Sequence, residues 1–298
     1  MSVMEFVGVS TGGSSIMRVF PAWARILGLP AARLTGHDVP LDAPPARYRE
    51  LVAAVKADPE RRGALVTTHK IALYQAARDL FDEVDEFAAL CGEISSISKR
   101  DGRLIGHALD PVTAGLAIEE FLPADHFART GGHVLCLGAG GAGTAIAWYL
   151  ARRPDPPPRV VCADVRGERL AALRGALSHT GMEPETHRLD GPADALLAGL
   201  PPGSLVINAT GLGKDRPGSP LGPAARFPDG AIVWELNYRG ALDFWHAAEA
   251  QRAAAGLAVV DGWRYFIHGW SQVIAEVFDI PLPPDVMKAL SRAAETAR

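Results

Sequence analysis

The chain has 298 residues, more than one average domain, so two domains are the first expectation. Hydrophobic residues make up 48% and charged residues 21%, the make-up of an ordinary folded protein with a sizeable core. Thirty basic against 34 acidic residues give a net charge of -4, which argues against a general nucleic-acid binder. Three scattered cysteines, Cys91, Cys136 and Cys162, have no metal-ligand spacing and fit a reducing compartment. Residues 1–13 carry Glu5 and no basic cluster, so they do not read as a signal peptide. Val134–Leu150 is uncharged and approaches membrane-spanning length, but its glycines fit a strand, turn and helix better. A cytoplasmic protein that contacts neither membrane nor nucleic acid is the expectation.

In chain order, Glu5–Val9 reads as a strand that ends in the turn Ser10-Thr-Gly-Gly13, and Ile16–Leu27 as a helix. Arg33–Val39 and Ala64–Thr67 read as strands, and Tyr48–Lys56, Ile71–Ala77 and Val84–Cys91 as helices. Glu93–Ser98 and Leu104–Ala108 flank Asp101-Gly102, a strong hairpin signal. Val112–Phe121 reads as a connecting helix. The character changes at His133. Strands at Val134–Leu137, Val160–Ala163, Leu205–Asn208 and Ala231–Leu236 alternate with helices at Ala142–Ala151 and Arg169–Leu177, which predicts a parallel sheet covered on both faces. Two further helical stretches, Leu242–Ala254 and Trp263–Phe278, follow.

Gly138-Ala139-Gly140-Gly141-Ala142-Gly143 lies between a strand and a helix, the context that turns a glycine pattern into a dinucleotide site. Glycine permits the tight turn, the close approach of a pyrophosphate and the packing of helix on sheet, while the helix N-terminus faces the phosphates. Asp164 ends the next strand, where an acidic side chain accepts from ribose hydroxyls and repels a 2′-phosphate, which favours NAD. The alternative for Asp164 is a helix cap, and Arg166 is a candidate partner for the 2′-phosphate of NADP. Asn208, Thr210 and Gly213 lie on the next strand end and its loop, on the ligand edge of such a sheet, where an ordinary turn is the competing reading.

The order of these segments resembles the shikimate/quinate dehydrogenase family over nearly the whole chain. The counterparts of its motifs are Thr11-Gly-Gly-Ser-Ser-Ile16, Leu65-Val-Thr-Thr-His-Lys70, Glu93-Ile-Ser-Ser96, Gly106-His-Ala-Leu-Asp110, Gly138-Ala-Gly-Gly-Ala142, Asn208-Ala-Thr-Gly-Leu-Gly213, Glu235-Leu-Asn-Tyr238 and Gly262-Trp-Arg-Tyr-Phe266. The resemblance implies an α/β protein: an N-terminal α/β substrate domain plus a Rossmann dinucleotide-binding domain, with C-terminal helices returning to the first domain. The expected division is 1–111 with 241–298 for substrate and 112–240 for NAD(P). It also implies a small-molecule substrate, allows a homodimer, and places Lys70 and Asp110 at the family's catalytic pair.

In that reading Lys70 takes the proton from a substrate hydroxyl, or stabilises the developing alkoxide, as a hydride passes to the nicotinamide, and Asp110 holds the ammonium and a substrate hydroxyl in line; a solvated surface lysine and a turn or helix cap are the alternatives. Ser14, Thr68, Ser95, Tyr238 and Gln272 are the expected substrate contacts, each with a local structural role as its alternative. Several positions depart from the family. Ile16 replaces a carboxylate-binding serine, Ser95 and Ala108 replace asparagines, and Gly269 stands where the last helix has a glutamine, with Gln272 or His268 as substitutes. The Asp164-Val165-Arg166 segment replaces the Asn-Arg-Thr of NADP-dependent members, so NAD is expected, with NADP as the alternative. A site that loses hydroxyl partners changes its substrate, so a related ring acid or cyclitol is expected. The second reading is a catalytically silent nucleotide-binding sensor or partner protein on the same fold.

Overall fold

Two sheets of six strands organise the chain. The computed structural model describes residues 2–214 and 216–298; Met1 and Asp215 lie outside the described residues. The chain divides into two units, Met1–Leu109 with Ile267–Arg298, and Asp110–Phe266.

In the first unit, β1 (Ser2–Gly8), α1 (Ser15–Ile26), β2 (Ala32–Asp38), α2 (Pro45–Ala57) and β3 (Arg61–Val66) form a parallel half-sheet with helical crossovers. Next come α3 (Lys70–Ala77), β4 (Glu83–Val84), α4 (Glu86–Cys91), β5 (Ser96–Arg100) and β6 (Arg103–His107). The strand order is β2-β1-β3-β5-β6-β4, and β5 runs antiparallel to both β3 and β6. The β5–β6 hairpin turns at Asp101 (φ +50°) and Gly102 (φ +78°), the two left-handed residues that the twist of paired strands requires. Val52, Val55, Leu73, Ile97 and Leu104 from helices and sheet share one buried core.

The second unit contains α5 (Asp110–Ile118), α6 (His126–Thr130), β7 (Val134–Leu137), α7 (Gly141–Ala151), β8 (Val160–Asp164), α8 (Gly167–Leu177) and β9 (Glu185–Arg188). It continues through α9 (Asp194–Ala198), β10 (Leu205–Asn208), β11 (Ile232–Glu235), α10 (Asp243–Glu249), α11 (Arg252–Ala255) and β12 (Ala258–Val260). All neighbours are parallel, in the order β12-β11-β10-β7-β8-β9. Counted from β7, this is the doubly wound order 3-2-1-4-5-6. Strands β7, β8, β10 and β11 are buried along their whole length, which is why their sequences are continuous apolar runs. Cys136 and Cys162 are register partners on β7 and β8, both buried. The uncharged stretch once long enough to suggest a membrane span is thus β7, its loop and α7. Among the described residues no helix is long and apolar enough to cross a membrane.

The last helices, α12 (Trp263–Phe278) and α13 (Pro284–Ala294), carry the chain back into the first unit at Ile267. There Phe6 meets Trp270 edge to face at 4.8 Å, and the Trp23 indole donates to Leu290 O at 2.8 Å.

Four expectations differ in detail. Val84 closes the two-residue strand β4 and the helix begins only at Glu86, because Asp85 caps α4 by accepting from Ala88 N at 2.7 Å. The strand expected from Glu93 begins only at Ser96. Leu242–Ala254 is two helices, α10 and α11. The second unit begins at Asp110 and ends at Phe266, where 112 and 240 were expected. Residues 241–260 stay with it because β12 pairs with β11 and extends its sheet.

Candidate functional site

The doubly wound sheet reverses direction between β7 and β10, and the loops after these strands form the edge where such sheets hold ligands. After β7, Gly138 adopts φ +103° and donates to Ala163 O at 2.7 Å. A Cβ on Gly143 would stand 1.9 Å from Gly138 O, so only glycine lets α7 pack this closely. Gly140 is the N-cap of α7, and a Cβ there would meet only the Arg169 guanidinium at 3.9 Å. The space above Gly140 is open, while the first amides of α7 lack intrahelical acceptors and carry the positive end of the helix dipole. That cradle suits a pyrophosphate.

Asp164 ends β8, 6% exposed. Its Oδ2 accepts from Ala139 N at 2.8 Å and its Oδ1 from Arg166 N at 2.9 Å. It does not cap α8, whose N-cap is Arg166. A carboxylate has acceptor sites for about four hydrogen bonds, so two remain for a ribose. Arg169, on the first turn of α8, lies 3.7 Å from Asp164 Oδ2. The sequence reading stopped at Arg166 and missed it; its signal was a second arginine on the first turn of the same helix.

After β10, the chain closes a hydrogen-bonded ring. Asn208 Oδ1 accepts from Thr210 N (3.2 Å) and Thr210 Oγ1 (2.6 Å), and Thr210 Oγ1 accepts from Leu212 N at 3.1 Å. Gly211 and Gly213 are left-handed at φ +75° and +85°. Asn237 Nδ2 donates to Leu212 O at 2.9 Å. Beneath the loop, fully buried Glu235 ends β11 and accepts from Asn208 Nδ2 (2.7 Å) and Asn237 N (2.8 Å). Burial pushes its carboxyl up to about 7 against the pull of these hydrogen bonds. Glu235 and Asn237 had been read only as part of a motif. An acid closing the apolar run Ile232-Val-Trp234 was the available signal.

Tyr238 follows, half-buried, with its ring 5.3 Å from Trp263 and 4.7 Å from Phe266. Asp110 is the first residue of α5, 7% exposed, and its carbonyl accepts from Thr113 Oγ1 at 3.2 Å.

In the first unit, the loop after β1 is tied to the end of β2, because Thr11 N and Oγ1 both donate to Asp38 Oδ1 (2.7 and 2.6 Å). This places Ser14, 8% exposed, at the N-cap of α1. Ile16 is wholly buried in the core. Thr68 is exposed in the turn after β3, and half-buried Lys70 opens α3. His69 between them is buried: Nε2 lies 2.9 Å from Val39 O and Nδ1 3.0 Å from Tyr48 Oη. Val39 O only accepts, so neutral His69 donates from Nε2 and accepts the Tyr48 hydroxyl at Nδ1. Ser95 is buried, and its Oγ accepts from Leu109 N at 2.9 Å, fixing the residue before Asp110. On α12, half-buried Gln272 is one turn beyond buried His268, and open space surrounds the Gly269 Cα between them.

The parallel sheet with a glycine cradle at its switch point defines a Rossmann dinucleotide-binding unit. A model of the saccharopine dehydrogenase NADP binding domain matches residues 134–213, from β7 through the loop after β10. The chain is 31% identical to a shikimate dehydrogenase (NADP(+)) of Sphingopyxis alaskensis, over 94% of this chain and 92% of that protein. Two solved structures share the fold. Shikimate 5-dehydrogenase of Thermus thermophilus, in complex with NADP(H) and shikimate, superposes over all of both chains with a TM-score of 0.74 at 24% identity. Quinate dehydrogenase of Corynebacterium glutamicum, in complex with NAD, covers 99% of each chain with a TM-score of 0.75 at 20% identity. The chain belongs to the shikimate dehydrogenase family.

Proposed function

We propose that the protein is an NAD(P)-dependent dehydrogenase that moves a hydride between the nicotinamide and a secondary alcohol of a shikimate-like ring acid or cyclitol. The observation that carries this reading is the Gly138–Gly143 cradle at the switch point of a parallel sheet, in a chain of this family. Its second unit binds the dinucleotide, and its first supplies the substrate contacts Ser14, Thr68, Ser95 and Gln272.

The bound dinucleotide supplies the hydride chemistry. The amides at the start of α7 hold the pyrophosphate, and Asp164 receives the adenosine ribose. Asn208, Thr210 and Gly213 shape the loop that meets the nicotinamide half. Asp164 and the absence of an arginine at Val165 support NAD as the preferred form, with NADP drawn by Arg166 and Arg169 as the competitor. Lys70 accepts the hydroxyl proton as the carbonyl forms and returns it in the reverse direction. Asp110, the other family catalytic position, orients a neighbouring substrate hydroxyl. What supports this pair is that each residue stands at a family catalytic position and each opens a helix.

Ser14, Thr68, Ser95, Tyr238 and Gln272 line the substrate. Ile16 is sealed in the core, Ala108 brings no amide, and Gly269 leaves room. A substrate held less by its carboxylate and more by shape follows from these three positions. A homodimer in the cytoplasm completes the proposal; sedimentation of the purified protein tests the dimer.

The deciding experiment offers NAD and NADP separately with shikimate, quinate and a panel of cyclitols and amino-substituted analogues, following nicotinamide absorbance. Turnover lost in Lys70→Ala, with dinucleotide binding retained, is the expected result. Turnover retained in that variant removes Lys70 from the mechanism. Dinucleotide binding without turnover across the panel moves the assignment to a binding protein on this fold.

A further inference from the structure

Glu235 sits where a carboxylate is expensive. It is fully buried at the end of β11, yet it is the hub of the ring that shapes the loop after β10. Both of its oxygens face donors, Asn208 Nδ2 at 2.7 Å and Asn237 N at 2.8 Å. An ionised carboxylate satisfies both. Protonation turns one of these oxygens into a hydroxyl, a weaker acceptor for the donor that it faces.

The Asn208 amide cannot turn over to relieve this without loss. Its Oδ1 already accepts from Thr210 N and Thr210 Oγ1, and a flip would point an NH₂ at both. Thr210 Oγ1 in turn receives Leu212 N, and Leu212 O is held by Asn237, whose backbone amide returns to Glu235. A proton gained at Glu235 therefore weakens the contact to Asn208 or, if the amide flips, gives up the one from Thr210 N, and the anchor of the loop loosens.

We propose that Glu235 is a positioning residue: ionised, it locks residues 208–213 in the shape that receives the nicotinamide half of the cofactor, and protonated, it releases them. The proposal rests on the dinucleotide reading above. Burial against these hydrogen bonds leaves the carboxyl at about 7, so the change falls in the neutral range. The groups facing it from β10, from the loop and from β11 are neutral amides. The charged or titratable residues of the flanking segments, Lys214, Tyr238, Arg239 and Asp261, do not figure among the causes of its shift.

The test uses the full chain as wild type, Glu235→Gln and Glu235→Asp. Hydrogen exchange of the peptide spanning 205–214, corrected for intrinsic pH dependence, is read from pH 8 to pH 6 without cofactor. NADH and NADPH binding are read in parallel by fluorescence. In the wild type, protection falls about tenfold with a midpoint near 7, the loss of one hydrogen bond to a charged group, and the dinucleotide Kd rises with it. Glu235→Gln stays at the low-protection, weak-binding level at every pH. Glu235→Asp, which keeps the charge, recovers protection at pH 8. A wild-type exchange profile that is flat from pH 8 to pH 6 overturns the proposal even if no variant folds. So does a Glu235→Gln profile that follows the wild type. A wild type that binds neither dinucleotide sinks the cofactor reading and with it the receiving role, while the exchange profile still decides the lock.

Discussion

Asp164 accepts a hydrogen bond from Ala139 N at 2.8 Å, so the carboxylate proposed to receive the ribose also holds the glycine loop in place. Two tasks on one side chain make its substitution doubly informative. An asparagine keeps the size and one acceptor oxygen but turns an NH₂ toward one of two donors. Asp164→Asn is expected to raise the Kd for NAD about tenfold, the worth of one charge-assisted hydrogen bond, and to affect NADP less because a repelling charge is gone. The ratio of kcat/KM for the two cofactors, with any substrate that turns over, checks this. An unchanged ratio rules out Asp164 as the discriminating group.

Glu235 links stability to pH with a definite sign. Its folded-state value of about 7 lies above its ordinary 4.5, so between these values the native protein holds more protons than the unfolded chain. Stability from this group therefore falls as pH rises from 4.5 to 7 and is flat above. The full span is about 3 kcal/mol as an upper bound. Glu235→Gln should lose that slope and gain on the wild type in urea midpoint as pH rises from 5 to 8. A constant difference across this range would contradict the assignment.

His69 works in the opposite sense. Burial holds its imidazole below the ordinary 6.5, so the unfolded chain binds the extra proton first. Its contribution is complete above 6.5 and is lost as pH falls below that value toward its folded-state one. Tyr48→Phe removes the donor to Nδ1 and leaves a buried acceptor bare, at a cost of about 1–3 kcal/mol in chemical denaturation. Because α3 begins at the next residue, the same variant should also lower turnover by loosening Lys70.

Two glycines give a matched pair. Gly143→Ala drives a Cβ to 1.9 Å from Gly138 O, backbone that cannot step aside, and should cost about 3 kcal/mol with loss of dinucleotide binding. Gly175→Ala, on the exposed face of α8 with nothing within 4 Å, should stabilise by about 0.5–1 kcal/mol and leave activity intact. Thermal melts of the two variants, run side by side, read the difference.

The legible parts of this fold were those whose chemistry is local. Asp101-Gly102 announced a hairpin because only left-handed residues close such a turn. The glycines at 138–143 announced the cradle because they stand between two uninterrupted apolar elements. The four-residue β9 escaped notice because Glu185-Thr-His-Arg188 is a polar strand at the edge of the sheet. Helix α4 was read too long because Asp85 serves two masters, capping α4 and accepting from Ala108 N at 3.0 Å. The lock around Glu235 was invisible because its members, Asn208, Thr210, Leu212, Glu235 and Asn237, meet only once parallel strands are in register. Chemistry that depends on pairing distant segments leaves little trace along the chain.

The paired cysteines of β7 and β8 give the second unit a clock. Cys136 and Cys162 lie face to face in register beneath the glycine loop, and their mutual hydrogen bond and burial push the Cys162 thiol well up. Both thiols are buried and out of a reagent's reach while the sheet is closed. Cys91, at the partly exposed end of α4, belongs to the other unit. An alkylating agent therefore marks Cys91 in the native protein and reaches Cys136 and Cys162 only when the nucleotide sheet opens. Mass spectrometry of labelled peptides over time then measures how often that sheet breathes, and how far a bound dinucleotide slows it.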